Sequence, residues 1–461
     1  MLACLLAILC PCDTPNIVVI LCDDLGYGDV APYATDEKIP TPAFARLAAE
    51  GLTLTDAHSP CAWCTPTRYG LLTGRYPVRQ DVMRDKQPVI PPDHATLPGF
   101  LRERGYETVM LGKWHLGFDG DDRTDPSRTL TGGPVDRGFD AYYGIPRSLD
   151  IPPYYWISDR TAVDAPTEPV EGNQSGEPWN NIQGAFWRKG LAAPGFEFAD
   201  VTPEIGDRAV AEIGRREPGG KPLFLYVALP SPHTPWVVKE EFVGKSGAEM
   251  YGDFVVQVDS VVGDVLDALD RAGIMEDTLV FVSSDNGPVW YPQDTQRTGH
   301  DATAGFRGMK GDAHEGGHRV PALVRWPGRI GPGETSDALF CQTDLFATFA
   351  AILGGDLPDT VTDSVDQWPV WQGRPDAART SLLTEATGRF QCVREGQWKL
   401  IPALGSAGFT KPKFRDPEGG EPPGQLYDLD ADPSETTNVY ADHPDVVARL
   451  TALLETYPRR P

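Results

Sequence analysis

The stretch NIVVILCDDLGYGD, residues 16–29, joins an apolar run to a cluster of carboxylates. Residues 16–22 are almost all apolar and largely β-branched, which predicts a strand buried on both faces of a parallel sheet. Asp23 and Asp24 follow directly. Two adjacent carboxylates at the end of a buried strand are costly unless they are paired or bound to a cation. The stretch therefore predicts a parallel sheet with a charged site at its edge, and Asp29, farther into the loop, is interpreted as a turn residue.

Three more apolar runs end in polar residues in the same way. They are the predicted strands at 107–111, 222–229 and 278–283. In a doubly wound α/β sheet, ligands bind outside the carboxyl ends of the strands. We therefore expect the residues that follow these runs to meet Asp23 and Asp24 at one site. These residues are Lys113, His115, His233, Asp285 and Asn286.

Four of the residues at the predicted strand ends offer oxygen ligands: Asp23, Asp24, Asp285 and Asn286. An all-oxygen set suits a hard cation, calcium or alternatively magnesium, and does not suit zinc. Two alternatives stay open at this point. Asp285-Asn286-Gly287 has the composition of an ordinary turn. A single Lys after a strand is more often solvated, and a single His more often packed, than part of a site.

A second informative stretch is SPCAWCTPTRYGLLTGRYPVR, residues 59–79. Thr65 is predicted to cap a helix that starts at Pro66 and stops at Gly74. Cys64 then lies just before a helix N-terminus, where backbone N–H groups favour an anion. Arg68, one turn into the helix, adds charge-assisted donors.

The pair Cys61-x-x-Cys64 has plainer interpretations. It resembles the spacing of a redox pair or a local disulfide, although no small thioredoxin-like unit surrounds it. A zinc site would need a second Cys/His pair at ligand spacing, and none follows.

The chain has 461 residues and a formal net charge of -25, from 41 basic and 66 acidic residues. Its length predicts one large domain or two unequal ones. The acidic balance disfavours a nucleic-acid partner, and an anionic substrate would need a local basic pocket. The apolar run at residues 2–10 is too short to span a bilayer, and it lacks the basic start and cleavage site of a standard signal peptide.

The sequence divides into three predicted parts: a possible leader at 1–15, a catalytic α/β domain at 16–375, and a small C-terminal antiparallel-sheet domain at 376–461. Residues 118–200 are rich in Gly, Pro and aromatics and predict a loop-rich insertion that forms a pocket wall. A long helix is predicted over about 248–272 and a final helix over 443–457.

The run CTPTR at 64–68, followed by YGLLTGRYP, resembles the sulfatase signature. The segments that carry the predicted site residues also resemble sulfatases in order and spacing. This resemblance extends from about Asn16 to the vicinity of Asp432. The resemblance implies an alkaline-phosphatase-like α/β fold, a mostly parallel sheet flanked by helices, with a small C-terminal α+β domain. It also implies export to a periplasmic, secreted or lysosome-like location, which we predict although the leader is atypical.

The resemblance implies a role for each residue of the predicted site. Cys64 would be oxidised by a maturase to formylglycine (3-oxoalanine). The calcium ligands would be Asp23, Asp24, Asp285, Asn286 and the modified Cys64, with magnesium as the possible substitute. Arg68 and Lys113 would hold the formylglycine and the sulfate, and His115 would contact the formylglycine hydrate. His233 and Lys310 would contact the sulfate and assist the leaving oxygen. In the segment GIPRSLD, Ser148 would touch the substrate.

The predicted function is hydrolysis of a sulfate monoester, in which one hydroxyl of the formylglycine hydrate attacks sulfur. The substrate would be a small-molecule or oligosaccharide sulfate ester, either carbohydrate or aryl. The nearest alternative is a phosphodiesterase or phosphonate monoester hydrolase, since such enzymes share the fold and a similar cysteine motif. A non-catalytic binding protein on this fold is the third reading.

Overall fold

The computed structural model describes residues 14–80, 82, 88–120, 126–180, 182–374, 378–387 and 390–457. Apart from residues 14 and 15, the predicted leader therefore lies outside the described residues. No helix in the described part of the chain has both the length and the apolar character needed to cross a membrane.

Helices and strands alternate through most of the chain. The helices are α1 (Pro42–Glu50), α2 (Cys64–Thr73), α3 (Leu97–Glu103), α4 (Val201–Ile213), α5 (Glu249–Arg271), α6 (Pro292–Thr298), α7 (Glu315–His318), α8 (Leu345–Ile352), α9 (Trp368–Trp371) and α10 (Pro444–Thr456). The strands are β1 (Asn16–Asp23), β2 (Leu52–Leu54), β3 (Ala57–His58), β4 (Glu107–Lys113), β5 (Ala141–Ile145), β6 (Ile157–Ser158), β7 (Thr161–Ala162), β8 (Glu168–Val170), β9 (Gly190–Ala192), β10 (Leu223–Pro232), β11 (Thr278–Ser284), β12 (Ala322–Arg325), β13 (Glu334–Ser336), β14 (Phe340–Cys341), β15 (Ser381–Glu385), β16 (Gln391–Glu395), β17 (Trp398–Ile401) and β18 (Gln425–Asp428).

The main sheet has ten strands in the order β13-β2-β12-β11-β1-β10-β4-β5-β6-β7. Its centre, from β11 to β5, is parallel, and antiparallel strands flank it on both sides. This confirms the predicted mostly parallel sheet. The register keeps the strand ends level, since Cys22 pairs with Ser284 and Asp23 pairs with Pro232. The carboxyl ends of β11, β1, β10 and β4 therefore share one edge.

Helices cover both faces of the main sheet, as the apolar strands require. Alternate residues of β1 point to opposite faces. Ile17, Val19 and Leu21 belong to a core shared with α2, α3 and α8, whereas Val18 and Ile20 belong to a core shared with α1, α4 and α5. Burial on both faces explains why β1 is continuously apolar.

The C-terminal part of the chain forms a four-stranded antiparallel sheet in the order β15-β16-β17-β18. Its apolar face packs with α10 around a separate small core. Strand β15 also lies against the segment that leads to Cys64, because Ala62 N–H donates to Glu385 O at 2.9 Å. The domain boundary at residues 375/376 stays a prediction.

Candidate active site

Cys64 lies within helix α2 and not before it. The predicted N-cap at Thr65 is wrong, because Trp63 is the N-cap and Cys64 is the first helical residue. The first helical hydrogen bond runs from Thr67 N–H to Trp63 O at 3.2 Å. Pro66 is tolerated one residue earlier because N–H groups in the first turn have no intrahelical acceptor. The predicted end at Gly74 is confirmed by its left-handed φ of 63°.

The acidic ends of β1 and β11 meet, as the sequence predicted. Asp24 N–H donates to Asp285 Oδ1 at 3.3 Å, and Asn286 Nδ2 donates to Asp24 Oδ1 at 2.7 Å. Asp23, Asp285 and Asn286 are fully buried and Asp24 is nearly so. The four residues are therefore one compact oxygen-rich cluster.

Three buried cations face this cluster. The Arg68 guanidinium donates to Asp285 Oδ2 through Nε at 2.9 Å and Nη2 at 2.7 Å. Lys113 Nζ contacts Asp23 Oδ2, and Lys310 Nζ lies 2.5 Å from Asp24 Oδ1. Three cations thus balance three carboxylates, which is what burial of so many charges requires.

The cluster fits a hard metal ion. Asp23 Oδ1 and Asn286 Oδ1 are buried without a hydrogen-bond partner, although buried polar atoms are rarely left unpaired. Asp23, Cys64 and Asp285 each offer a ligand atom, and these atoms lie within 4.8 Å of one another. Unpaired carboxylate and amide oxygens are the ligands that calcium or magnesium prefers.

The two carboxylates nearest Arg68 titrate in opposite directions. Burial alone would raise the pKa of Asp23, but Lys113, His233 and Arg68 together hold that pKa well below its usual value. Burial and the neighbouring Asp23 charge raise the pKa of Asp285 to about 6, against the opposing effect of Arg68. Interacting carboxylates are expected to separate in this way.

His115 lies beside Cys64, with its Nδ1 atom 3.4 Å from Sγ. Burial, followed by the positive charges of Lys113 and Arg68, lowers the pKa of His115 well below its usual value, so the imidazole is neutral. Burial raises the pKa of the Cys64 thiol. His115 has a left-handed φ of 55° and Asp24 one of 64°, a strained conformation that is enriched at functional sites.

His233 follows the end of β10 at the outer side of the cluster. Its Nδ1–H donates to Thr234 O at 2.7 Å, which directs Nε2 toward the carboxylates, 3.8 Å from Asp24 Oδ2. Its side chain is 12% exposed, whereas the Asp23, Lys113 and Arg68 side chains are almost fully buried. The geometry suits a group that exchanges a proton with a bound molecule.

Ser148 is buried beyond β5, two residues after Pro146, whose carbonyl accepts the His115 N–H at 3.1 Å. It lines a small cavity with Tyr155 and Phe196. Its role as a substrate contact stays a prediction.

Asp29 is not the simple turn residue that the sequence suggested. Its Oδ1 accepts from His300 Nε2 at 2.8 Å, and its Oδ2 accepts from Gly26 N–H at 2.5 Å and from the Tyr251 hydroxyl. The other ring nitrogen of His300 lies 3.1 Å from Asp36. The imidazole therefore fixes the loop that follows Asp23 and Asp24. No local signal marks His300, since its partners are distant in the sequence.

A second buried polar cluster joins the C-terminal sheet to helix α7 and strand β3. Lys399 Nζ, from β17, contacts Glu315 Oε1 at 2.9 Å and His318 Nε2 at 3.0 Å. His318 Nδ1 lies 3.0 Å from His58 Nδ1. The sequence assigned no role to Glu315 and His318. The Lys399 ammonium group lies between Glu315 and His318, where a metal ion would otherwise bind, so we interpret this cluster as structural.

Comparisons with known proteins agree along nearly the whole chain. A family model described as Sulfatase matches residues 15–355. An N-acetylgalactosamine-6-O-sulfatase of Bacteroides thetaiotaomicron is 33% identical over 97% of this chain and 93% of its own length. Arylsulfatase A of Homo sapiens is 34% identical over 92% of this chain and 83% of its own length. A solved Bacteroides thetaiotaomicron structure from work on the metabolism of multiple glycosaminoglycans has a TM-score of 0.85 and 32% identity, covering 96% of this chain and 99% of that one.

Proposed function

The chain belongs to the sulfatase family of sulfuric ester hydrolases, and from this premise we propose that it cleaves carbohydrate sulfate monoesters by means of formylglycine at residue 64 and a bound calcium ion. The observation that supports this proposal most is the convergence of Cys64 with three buried carboxylates and three buried cations.

Asp23, Asp24, Asp285 and Asn286 would hold the calcium ion, together with the modified residue 64. The two unpartnered oxygens, Asp23 Oδ1 and Asn286 Oδ1, favour this assignment. Bound calcium would act as a Lewis acid toward the sulfate oxygens and the nucleophile. Formylglycine would supply a hydrated aldehyde whose hydroxyl is the nucleophile, and the site fits it because residue 64 faces both the carboxylates and His115.

Arg68, Lys113 and Lys310 would bind and orient the sulfate. Their charges are fixed before substrate arrives, so they stabilise negative charge on the transferring group without reorganisation. Each cation is also held by a carboxylate, which keeps it in place when the site is empty of substrate.

Two histidines would transfer protons: His115 would accept one from the nucleophile, and His233 would donate one to the leaving oxygen. His115 is neutral and lies against residue 64, so its Nδ1 can accept a proton from the attacking hydroxyl. His233 directs Nε2 toward the carboxylate cluster, where its N–H could donate to the leaving oxygen, and Lys310 contacts the same Asp24 carboxylate.

The proposed substrate class follows the similarity to an N-acetylgalactosamine-6-O-sulfatase that covers 97% of this chain. We therefore propose a 6-O-sulfated hexosamine as the first substrate to test. An aryl sulfate is the second candidate, because arylsulfatase A is similar at 34% identity. Export and maturation by a formylglycine-generating enzyme are part of the same proposal.

The test compares wild type, Cys64→Ala and Cys61→Ala after co-expression with a formylglycine-generating maturase. We expect the wild-type peptide that contains residue 64 to show the mass of the aldehyde. Turnover of the sulfated hexosamine should be lost in Cys64→Ala and retained in Cys61→Ala. Equal turnover in all three proteins would reject Cys64 as the precursor of the nucleophile. Faster turnover of an aryl phosphodiester than of every sulfate ester would favour the phosphodiesterase alternative.

A further inference from the structure

Two half-buried aromatic side chains from distant parts of the chain lie beside the candidate active site. Trp63 directly precedes Cys64, and its ring centroid lies 5.4 Å from that of Phe409, with the planes at 80°. Lys310 Nζ lies 5.1 Å from the Trp63 ring centroid. The pair is thus adjacent both to the predicted nucleophile and to the cation assigned to the leaving oxygen.

Phe409 belongs to the connection between β17 and β18, which is hydrogen-bonded to residues 312 and 313, just after Lys310. We call residues 405–412 the aromatic loop. Thr410 donates through its N–H and its hydroxyl to the Asp312 carboxylate, at 3.1 Å and 2.5 Å. Ala313 N–H donates to Ser406 O at 2.7 Å. The anchoring residues, 312 and 313, follow Lys310 closely in the chain.

The backbone of the aromatic loop also packs directly against the backbone of Gly311, the residue after Lys310. A Cβ at Gly408 would lie 2.2 Å from the carbonyl of Gly311, so only glycine allows this contact. Backbone contact and the Asp312 bonds together hold Phe409 in a set position relative to Lys310. A rigid aromatic at a partly exposed position is well suited to bind a ligand with little loss of entropy.

We propose that Trp63 and Phe409 form a wall against which the sugar ring of the leaving group packs. This inference rests on the proposed function, because it takes the leaving oxygen to lie next to Lys310 and His233. Aromatic faces carry negative charge density that attracts the partly positive C–H groups of a pyranose. A galacto-configured sugar, whose axial hydroxyl leaves one ring face apolar, fits such a wall better than a gluco-configured one.

The alternative is that the pair only packs the C-terminal sheet against the rest of the chain. The two possibilities differ in what they do to the sulfate pocket. A leaving-group wall affects binding of the sugar and leaves binding of inorganic sulfate unchanged. A purely structural contact, once removed, would displace Lys310 and weaken both.

The first experiment measures steady-state kinetics of Phe409→Ala with N-acetylgalactosamine 6-sulfate, using inorganic sulfate as a competitive product inhibitor. We expect KM to rise about tenfold, from the apolar area lost, while kcat and the sulfate inhibition constant stay within about twofold of wild type. Phe409→Trp should keep the wild-type KM, and the preference for the galacto over the gluco 6-sulfate should shrink in Phe409→Ala. Phe414→Ala is the matched control, because Phe414 lies in the same connection and is 47% exposed.

The second experiment measures binding without turnover, by calorimetry on Cys64→Ala with and without Phe409→Ala. Weaker binding of the sugar sulfate with unchanged binding of inorganic sulfate supports the wall. Equal weakening of both ligands, or an unchanged affinity for the sugar sulfate, overturns it. Failure of the proposed function would look different: wild type would hydrolyse no sulfate ester, whatever the binding experiment shows.

Discussion

Substitution of Lys310 by methionine tests whether the carboxylate cluster is built around a cation. Lys310 is almost fully buried, and its ammonium lies 2.5 Å from Asp24 Oδ1. Methionine keeps most of the volume and removes the charge. In Lys310→Met with metal ions removed by a chelator, the Asp24 carboxylate has lost its closest cation. Its buried negative charge is then uncompensated.

The size of the effect follows from the geometry. At 2.5 Å and an effective dielectric constant of about 20, the attraction is about 7 kcal/mol before desolvation. Removal of one partner of a buried pair costs about 3–5 kcal/mol in practice. For a chain of this size each kcal/mol shifts Tm by about 2 °C or less. We therefore expect Lys310→Met to lower Tm by up to about 6–10 °C in the presence of a chelator.

Calcium should remove most of this loss, because a divalent ion bound by Asp24 replaces the missing charge. The assay is thermal unfolding of wild type, Lys310→Met and Lys310→Arg, each in chelator and in saturating calcium. Calcium should raise the Tm of Lys310→Met by clearly more than that of wild type, and Lys310→Arg should behave like wild type. If calcium shifts wild type and Lys310→Met equally, Asp24 does not face the ion and our reasoning is refuted.

Three further substitutions test other parts of the structure. His300→Gln should weaken calcium binding about tenfold or more, measured by titration calorimetry, because it removes the partner that holds Asp29 in the loop after the proposed metal ligands Asp23 and Asp24. Glu315→Gln should lower the free energy of unfolding by about 3–5 kcal/mol, followed as a fall in Tm, since it leaves the buried Lys399 ammonium partly uncompensated. Burial raises the pKa of Asp259 from its ordinary value to about 6. The folded state therefore binds the Asp259 proton more tightly than the unfolded state does. This contribution to stability is complete below about pH 4 and is lost as the pH rises through about 6. The Tm of wild type relative to Asp259→Asn should therefore fall between pH 4 and pH 7, by an amount that corresponds to at most about 3 kcal/mol.

The first two of these tests have a control within the chain, and the third has an outcome that would contradict it. Asp36→Asn removes only the outer partner of His300, so it should weaken calcium binding less than His300→Gln does. Replacement of the exposed Glu171, which pairs with Lys189 at the surface, should cost under about 1 kcal/mol. A pH-independent difference between wild type and Asp259→Asn would show that Asp259 keeps an ordinary pKa.

Much of the site was predictable because its residues follow local patterns. Each strand that contributes to it is a continuous apolar run, and such runs occur in parallel sheets buried on both faces. Residues just after these runs must lie at the carboxyl edge, so Asp23, Asp285 and Lys113 could be grouped before any contact was known. The helix that contains Cys64 was predicted with the correct end at Gly74 and with a start two residues too late, since Thr65 in the first turn looks like a capping residue in sequence.

The pairings inside the site could not be predicted in the same way. Arg68 was expected to face an anion, and the structure pairs it with Asp285, 217 positions away. Phe409 lies in a connection of the C-terminal sheet with no motif, yet it touches Trp63. His300 was overlooked because its two carboxylate partners lie more than 260 positions earlier.

The sequence by itself determined which segments become buried strands, which polar residues follow them, and that Cys64 lies next to a helix N-terminus. These properties are encoded locally, in apolar periodicity and in short motifs. Only the tertiary structure decided which cation neutralises which carboxylate, that His300 holds the loop after Asp23 and Asp24, and which aromatic rings border the site. The reason is the strand order: with β1 seated between β10 and β11, segments more than 200 residues apart become neighbours, and no local pattern encodes that proximity.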